Sequence, residues 1–269
     1  MTVDVVPISV VVPCFRCTAT LERAVESVAL QTRRPAQLVL VDDASGDATL
    51  DLLYSIQSRY GDWVTVIALT VNAGAASARN AGWQAAIQIY VAFLDSDDAW
   101  HPRKIEIQFA YLQSHPEVAL CGHLCRQVSS DVGAAPWWPV NPVGHAEVVT
   151  LVGLLLKNAF VTPSVIVKRD IPMRFAESER YMEDQRLWLD IVAEPLPTVK
   201  LMVELAAVYK PVYGASGLSA DMWRMERAEL ANYRYVYGAR KISYLSMRLL
   251  QVYSLMKYVR RLAIVHFLR

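Results

Sequence analysis

Acidic side chains run out early in this chain. Of its 269 residues the last forty carry none: Glu229 is the final carboxylate, and eight Lys or Arg follow it. The formal charge of +1 therefore joins two unlike parts. Residues 1–220 hold 17 basic and 23 acidic side chains, and residues 221–269 hold 10 and 3. A tail of this kind cannot balance its own charge along a helix, so it calls for an anionic surface or partner. It contains no recognisable base-reading module, so its charge does not imply nucleic acid.

Long apolar runs are also missing, although 54% of the residues are hydrophobic. The best stretch, residues 148–161, is interrupted by Lys157 and Asn158 and is too short to cross a bilayer. The first twelve residues lack a basic head and a cleavage signature, so no secretory signal is read there and a cytoplasmic location is expected. Cysteine is sparse: Cys14, Cys17, Cys121 and Cys125. Cys14 and Cys17 have the spacing of a redox dithiol, and two pairs can make a four-thiolate zinc site; reduced, partly buried thiols are the plainer reading. His101, His115 and His123 show no ligand spacing. There is no internal repeat and no low-complexity segment.

What is present is an alternation of elements. Residues 8–12, 37–41, 64–69 and 90–94 read as strands, the first a β-branched run closed by Pro13. Between and after them, residues 18–31, about 47–59, 74–87 and 102–114 carry helical patterns, with Asp47 as a cap and Pro102 as a start. Alternation of this kind predicts a mainly parallel sheet with helices on both faces, whose ligand crevice lies at the carboxyl ends of the strands. Four polar or turn-forming segments fall at those ends: Pro13-Cys14-Phe15, Asp42-Asp43, Asn72-Ala73-Gly74 and Asp95-Ser96-Asp97-Asp98. Three crowded carboxylates in the last are costly without a cation, and oxygen ligands suit Mg²⁺ or Mn²⁺. Alone, Asp42-Asp43 also reads as an Asx turn, and Glu183-Asp184 as a dipole-favoured helix start.

The second half is less regular. Residues 118–128, 162–168 and 199–209 read as strands, residues 146–157 and 181–193 as helices, and residues 131–145 as a loop. Trp137 and Trp138 in that loop either offer their faces to a stacked ligand or pack the loop down. Helical pattern dominates from about residue 219, with Gly238 as a break.

These landmarks, with Val10-Val11-Val12-Pro13, Val41-Asp42-Asp43-Ala44-Ser45, the stretch 72–82, Leu94-Asp95-Ser96-Asp97-Asp98 and Glu183-Asp184, resemble the family 2 glycosyltransferases over residues 7–220. The resemblance implies the GT-A fold and an inverting, metal-dependent transfer of a sugar from a nucleotide-diphosphate sugar, UDP first among the candidates, to a saccharide or lipid-linked acceptor in polysaccharide or glycolipid assembly. It implies roles as well. Pro13, Phe15, Asp42, Asp43, Asn72, Gly74, Arg79 and Asp95 would hold the donor. Asp97 and Asp98 would hold Mn²⁺ or Mg²⁺, and Asp184 would be the general base. One departure is visible: residues 209–219 lack the His or Arg that many members carry there, and Lys210 is the substitute cation. A sugar nucleotidyltransferase is disfavoured, because the loop after the first strand has no Gly. A non-catalytic nucleotide-sugar binder acting through its tail is the alternative. The expected division is a catalytic domain at 1–220 and a basic helical extension at 221–269. Residues 240–269 interleave cations with Leu, Val, Tyr and Met, a pattern for an anionic membrane surface, for packing on the catalytic domain, or for a second subunit in a homo-oligomer.

Overall fold

The run Val-Val-Pro-Ile-Ser-Val-Val-Val-Pro-Cys forms the first strand, β1 (Val5–Cys14), longer than its β-branched centre predicts because the ladder carries through Pro13. The computed structural model describes residues 4–128, 137–140, 145–194, 196–209 and 221–267. After β1 come α1 (Leu21–Ala29), β2 (Arg34–Asp42), α2 (Thr49–Tyr60), β3 (Val64–Ala68), α3 (Ala75–Ala85) and β4 (Tyr90–Phe93). The expected alternation is therefore present throughout this half. Then follow β5 (Ala99–Trp100), α4 (Lys104–Ser114), β6 (Leu120–Gln127), β7 (Ala146–Val148), α5 (Leu151–Leu156), β8 (Ile166–Lys168), α6 (Glu183–Ala193), β9 (Thr198–Val208), α7 (Met222–Gly238) and α8 (Tyr244–Phe267).

One sheet carries the nine strands of the described residues, in the order β3-β2-β1-β4-β8-β6-β9-β5, with β7 also on β9. β3, β2, β1 and β4 are parallel; β8 is antiparallel to both β4 and β6, and β6 runs parallel to β9. β1 lies between β2 and β4, so strand order reverses there and opens a crevice at the carboxyl ends.

Alternate residues feed opposite faces, as the period of two requires. Val10, Val12, Leu38 and Leu40 join a core under α1, α2 and α4, which supply Leu21, Leu53 and Ile105. Val11, Val39 and Val41 join a second core under α3, α5, α6 and α7, with Trp83, Leu154, Trp188 and Tyr233. Gly82 lets α3 press onto the sheet, because a Cβ there would lie 2.3 Å from a Val11 methyl. Phe93 and Phe175 meet edge to face at 5.1 Å beside Trp83, a geometry worth about 0.5–1.5 kcal/mol per pair beyond burial.

The helix expected over residues 146–157 divides. Ala146–Val148 is a strand on β9, and the helix starts only after Thr150, whose hydroxyl accepts the Gly153 N–H. The strand expected over 162–168 opens with a 3₁₀ turn, Thr162–Ser164. The tail does not stand apart. Tyr233 of α7 is buried in the second core and donates to the Leu155 carbonyl. No helix among the described residues is long and apolar enough to cross a membrane.

Candidate active site

Two knots of polar contacts form at the rim. In the first, the Asp42 carboxylate accepts from the Ser45 hydroxyl and, at 3.3 Å, from the Ser45 N–H. Asp43 accepts from Asn72 Nδ2 at 3.0 Å and from the Ala73 and Gly74 N–H groups at 2.8 Å each. Both carboxylates are buried. The Asx-turn reading thus describes Asp42 locally, while Asp43 clamps the loop that precedes α3. Gly74 closes that loop at φ +89° and ψ 167°, a region that essentially only glycine enters. Arg16 and Ala44 sit at φ 49° and 52° in the two facing loops. Arg16 donates its N–H and its Nε–H to Ser45. Pro13 is half-buried at the end of β1, and Phe15 stands exposed on the rim.

The second knot holds the acidic cluster. Asp95-Ser96-Asp97-Asp98 turns tightly, with the Asp98 N–H donating to the Asp95 carbonyl at 3.1 Å. One carboxylate oxygen from each of Asp95, Asp97 and Asp98 lies within 4.8 Å of the others. Among the described residues no other group of three His, Cys, Asp or Glu side chains is so arranged. The set is all oxygen, and it concentrates three negative groups in one turn, which fits a hard divalent cation. Asp98 is buried, and its Oδ1 accepts the Tyr209 N–H at 3.2 Å, which ties the turn to the end of β9. Arg23 of α1 donates to the Asp97 carbonyl and lies 3.6 Å over the Tyr209 ring.

Arg79 joins this cluster to the Glu183-Asp184 pair. One arm of its guanidinium reaches Asp95 at 2.7 Å and the other reaches Glu183 at 2.9 Å, with only 6% of the side chain exposed. Phe175 lies beneath it, 5.3 Å from ring centre to guanidinium carbon. Burial pulls the Arg79 pKa down, but Asp95 and Glu183 override it and hold the group above its usual range. Glu183 and Asp184 open α6 after Met182, which is held left-handed at φ 54°. The Gln185 N–H donates to Asp184 Oδ1 at 2.7 Å, and Thr162 Oγ1 donates to Oδ2 at 3.4 Å. Burial first, and then the neighbouring Glu183, push the Asp184 carboxyl up to about 6. A carboxylate that titrates there is suited to take a proton near neutral pH.

The remaining sequence candidates separate. Trp138 is buried, donates its indole N–H to the Glu204 carbonyl at 2.9 Å and carries Arg126 over its ring. It packs its segment onto β9, while Trp137 stays exposed. The four cysteines are free thiols, two at the end of β1 and two on β6, and they form no zinc-type cluster among the described residues. Burial pushes Cys121 and Cys125 up to about 12, in keeping with inert core thiols. The departure noted at 209–219 lies outside the described residues from Lys210 onward. Thr162, Phe175 and Tyr209 escaped sequence reasoning: each meets its partner 22, 96 and 111 residues away, and no local spacing signals that.

Comparison with known proteins places the chain in a family. The family model described as glycosyl transferase family 2 matches residues 9–145. TuaG of Bacillus subtilis, a putative teichuronic acid biosynthesis glycosyltransferase, is 28% identical over 231 residues, 85% of this chain and 88% of TuaG. The amylovoran biosynthesis glycosyltransferase AmsE of Erwinia amylovora is 29% identical and covers 67% of each chain. An uncharacterized Nostoc glycosyltransferase is 36% identical, but over only 44% of this chain and 36% of its own length. Among solved structures, S. aureus TarS 1-349 in complex with UDP superposes with a TM-score of 0.66 at 19% identity, over 93% of this chain and 71% of that one. The mannosyltransferase PcManGT of Pyrobaculum calidifontis, in complex with GDP-Man and Mn²⁺, gives 0.66 at 16% identity, over 97% and 80%. These two show the shared GT-A-like fold. With half its length matched by the family model, and its acidic cluster and Glu-Asp pair gathered on one rim, the chain belongs to glycosyl transferase family 2.

Proposed function

We propose that the protein transfers a sugar from a nucleotide-diphosphate sugar to an acceptor hydroxyl, with inversion at the anomeric carbon, in the assembly of a polysaccharide or glycolipid. The observation that carries this reading is the Arg79 fork, which binds the acidic cluster and the Glu183-Asp184 pair into one site. TuaG and AmsE are named for polysaccharide synthesis, and TarS for complexes with UDP and UDP-GlcNAc, which supports a UDP-sugar as donor. PcManGT, with GDP-Man, keeps other nucleotides within the class.

In this reading residues 1–220 are the catalytic unit. Pro13, Phe15 and the loops pinned by Asp42, Asp43, Asn72 and Gly74 receive the nucleoside. Asp97 and Asp98, with Asp95 beside them, would hold Mn²⁺ or Mg²⁺. The ion supplies charge stabilisation to the departing diphosphate. Arg79 adds a fixed positive charge at the same place. Asp184 takes the proton of the attacking hydroxyl, opposite the leaving group, so no covalent sugar–enzyme species forms. Nucleotide sugars tested with Mn²⁺ check the donor half: a true donor raises the thermal midpoint by mass action. Asp97→Ala is expected to abolish the Mn²⁺-dependent part of that rise, and an unchanged rise would remove Asp97 from the site.

The extension is assigned to an anionic membrane surface. α8 turns polar groups inward: Lys257 and Arg261 pair with the buried Glu229 and Glu226 of α7 at 2.6 and 3.2 Å, and Ser254 donates to Glu226. Its outward face carries Leu245, Leu249, Val252, Met256 and Val259, each more than half exposed at three- and four-residue spacing, with the exposed Arg248 and Arg260 beside them. No acidic side chain lies on this helix to oppose an anionic lipid. Flotation with anionic vesicles tests the assignment; a chain that stays at the bottom of the gradient ends it.

A further inference from the structure

The four arginines Arg180, Arg224, Arg227 and Arg234 line one cleft of about 470 Å³, with Tyr181 and Glu179 in its wall. Three of them share a face of α7, because residues 224, 227 and 234 recur at helical spacing. The acids of that helix point the other way. Glu226 and Glu229 are buried and taken up by Ser254, Lys257 and Arg261. Arg224 leans on Asp221 at 3.1 Å and on the Tyr181 hydroxyl at 3.3 Å. Among the described residues Arg180, Arg227 and Arg234 have no ion-pair partner. Four guanidinium groups thus face one space that offers Glu179, and Asp221 beside Arg224, as its acids.

Like charges gathered without partners raise the local potential and draw in an anion. Guanidinium forks match phosphate oxygens in particular, two N–H groups to a pair of oxygens. The volume falls in the range of small-molecule sites. None of the donor-side loops at 13–17, 42–47, 72–74 or 95–98 lines the cleft. It is joined instead to the base: the chain runs Arg180-Tyr181-Met182-Glu183-Asp184, and four residues span at most roughly 14 Å. Asn232 of α7 donates to the Met182 carbonyl at 3.4 Å, so the helix that carries the arginines also fixes the turn that aims Asp184.

We propose that this cleft binds phosphate groups of the acceptor, and so holds an anionic acceptor with its hydroxyl at Asp184. This rests on the transferase reading above only for the word acceptor; the anion site stands on its own residues. Two sources carry such phosphates, a prenyl diphosphate and a phosphodiester chain.

The test is titration calorimetry of the full chain in EDTA, so that the acidic cluster holds no metal. The probes are farnesyl diphosphate, farnesol and an oligo(glycerol phosphate). The variant is Arg227→Ala with Arg234→Ala, two exposed side chains whose loss leaves the unliganded thermal midpoint unchanged. Binding of farnesyl diphosphate or of the phosphodiester, at least tenfold weaker in the variant and absent for farnesol, supports the cleft; the tighter probe names the source. Equal affinity in both chains, or no binding of either phosphate probe, overturns it. UDP with Mn²⁺ is run in parallel and is expected to stabilise both chains alike. If UDP stabilises neither, the donor reading falls while the cleft result stands.

Discussion

Replacing Asp184 with Asn keeps the volume of the side chain and removes its ability to take a proton. Two effects of opposite sign should follow, because the same burial that makes Asp184 a useful base makes its charged form costly. Burial and Glu183 raise its pKa from 3.8 to about 6, a change of about two units. At about 1.4 kcal/mol per unit, the ionised carboxylate costs the folded state at most about 3 kcal/mol. The sign is fixed by where protons sit. Below pH 3.8 the group is neutral folded and unfolded, so the cost is absent. It grows as pH rises from about 4 to 6 and is complete above 6. Asp184→Asn should therefore raise the thermal midpoint of the metal-free protein at pH 8, by about 5 °C for a chain of this size. At pH 4 the two proteins should melt together. Activity should move the other way, with transfer falling by ~10²–10⁴ and donor binding unchanged. In the parent protein the rate should climb through pH 6 and level off above it, and this limb should vanish in the variant. A variant that melts lower at pH 8, or keeps the acid limb, would refute the reasoning.

Arg79→Met removes the cation that joins Asp95 to Glu183, both largely shielded from water. Taking this ion pair from the shielded Glu183, next to Asp184, should cost about 3–5 kcal/mol in urea unfolding, and a midpoint within error of the parent would contradict the fork's importance. Lys104 is fully buried, its ammonium has no hydrogen-bond partner among the described residues and lies over the Trp100 ring at 3.9 Å, and burial lowers it to about 7. Lys104→Met should stabilise the fold by ~2–5 kcal/mol at or below pH 7, and the gain should fade toward pH 10.5, where the parent lysine is neutral folded or unfolded. A gain that does not change with pH would point to packing instead of charge.

The parallel half of the fold was legible because its signals are local. Val10 to Val12 and Leu38 to Val41 are unbroken apolar runs, as strands buried on both faces should be, and each ends in a turn-forming or charged residue. The short elements were not legible. Ala99–Trp100 is too brief to show a period, and it pairs with Ala206 and Ala207 more than a hundred residues on. Ala146–Val148 is a strand because β9 offers an edge, and its own residues equally suit the helix that sequence predicts. At the site, the acidic cluster and the Glu-Asp pair stand out by composition. What Asp43 does is different: it holds Asn72, Ala73 and Gly74, and only the folded chain brings those N–H groups to its oxygens. The tail was legible only as a set of alternatives. Its cations left membrane binding, packing and a second subunit open, and only the fold shows Lys257 and Arg261 turned onto Glu229 and Glu226 of the preceding helix.

That inward turn bears on how the two ends of the molecule work together. A lone buried Glu226 or Glu229 would be untenable, so α7 cannot keep its place without the cations of α8. α7 in turn supplies Asn232, which holds the Met182 carbonyl, and Met182 is the strained residue from which Glu183 and Asp184 project. Glu183 then meets Arg79, and Arg79 meets Asp95. A continuous set of contacts therefore runs from the tail helix to the acidic cluster, each link a charge or a hydrogen bond with few substitutes. If α8 rests on a lipid surface, the surface and the base are held by the same helix pair, and an acceptor anchored in that surface meets Asp184 without a further moving part.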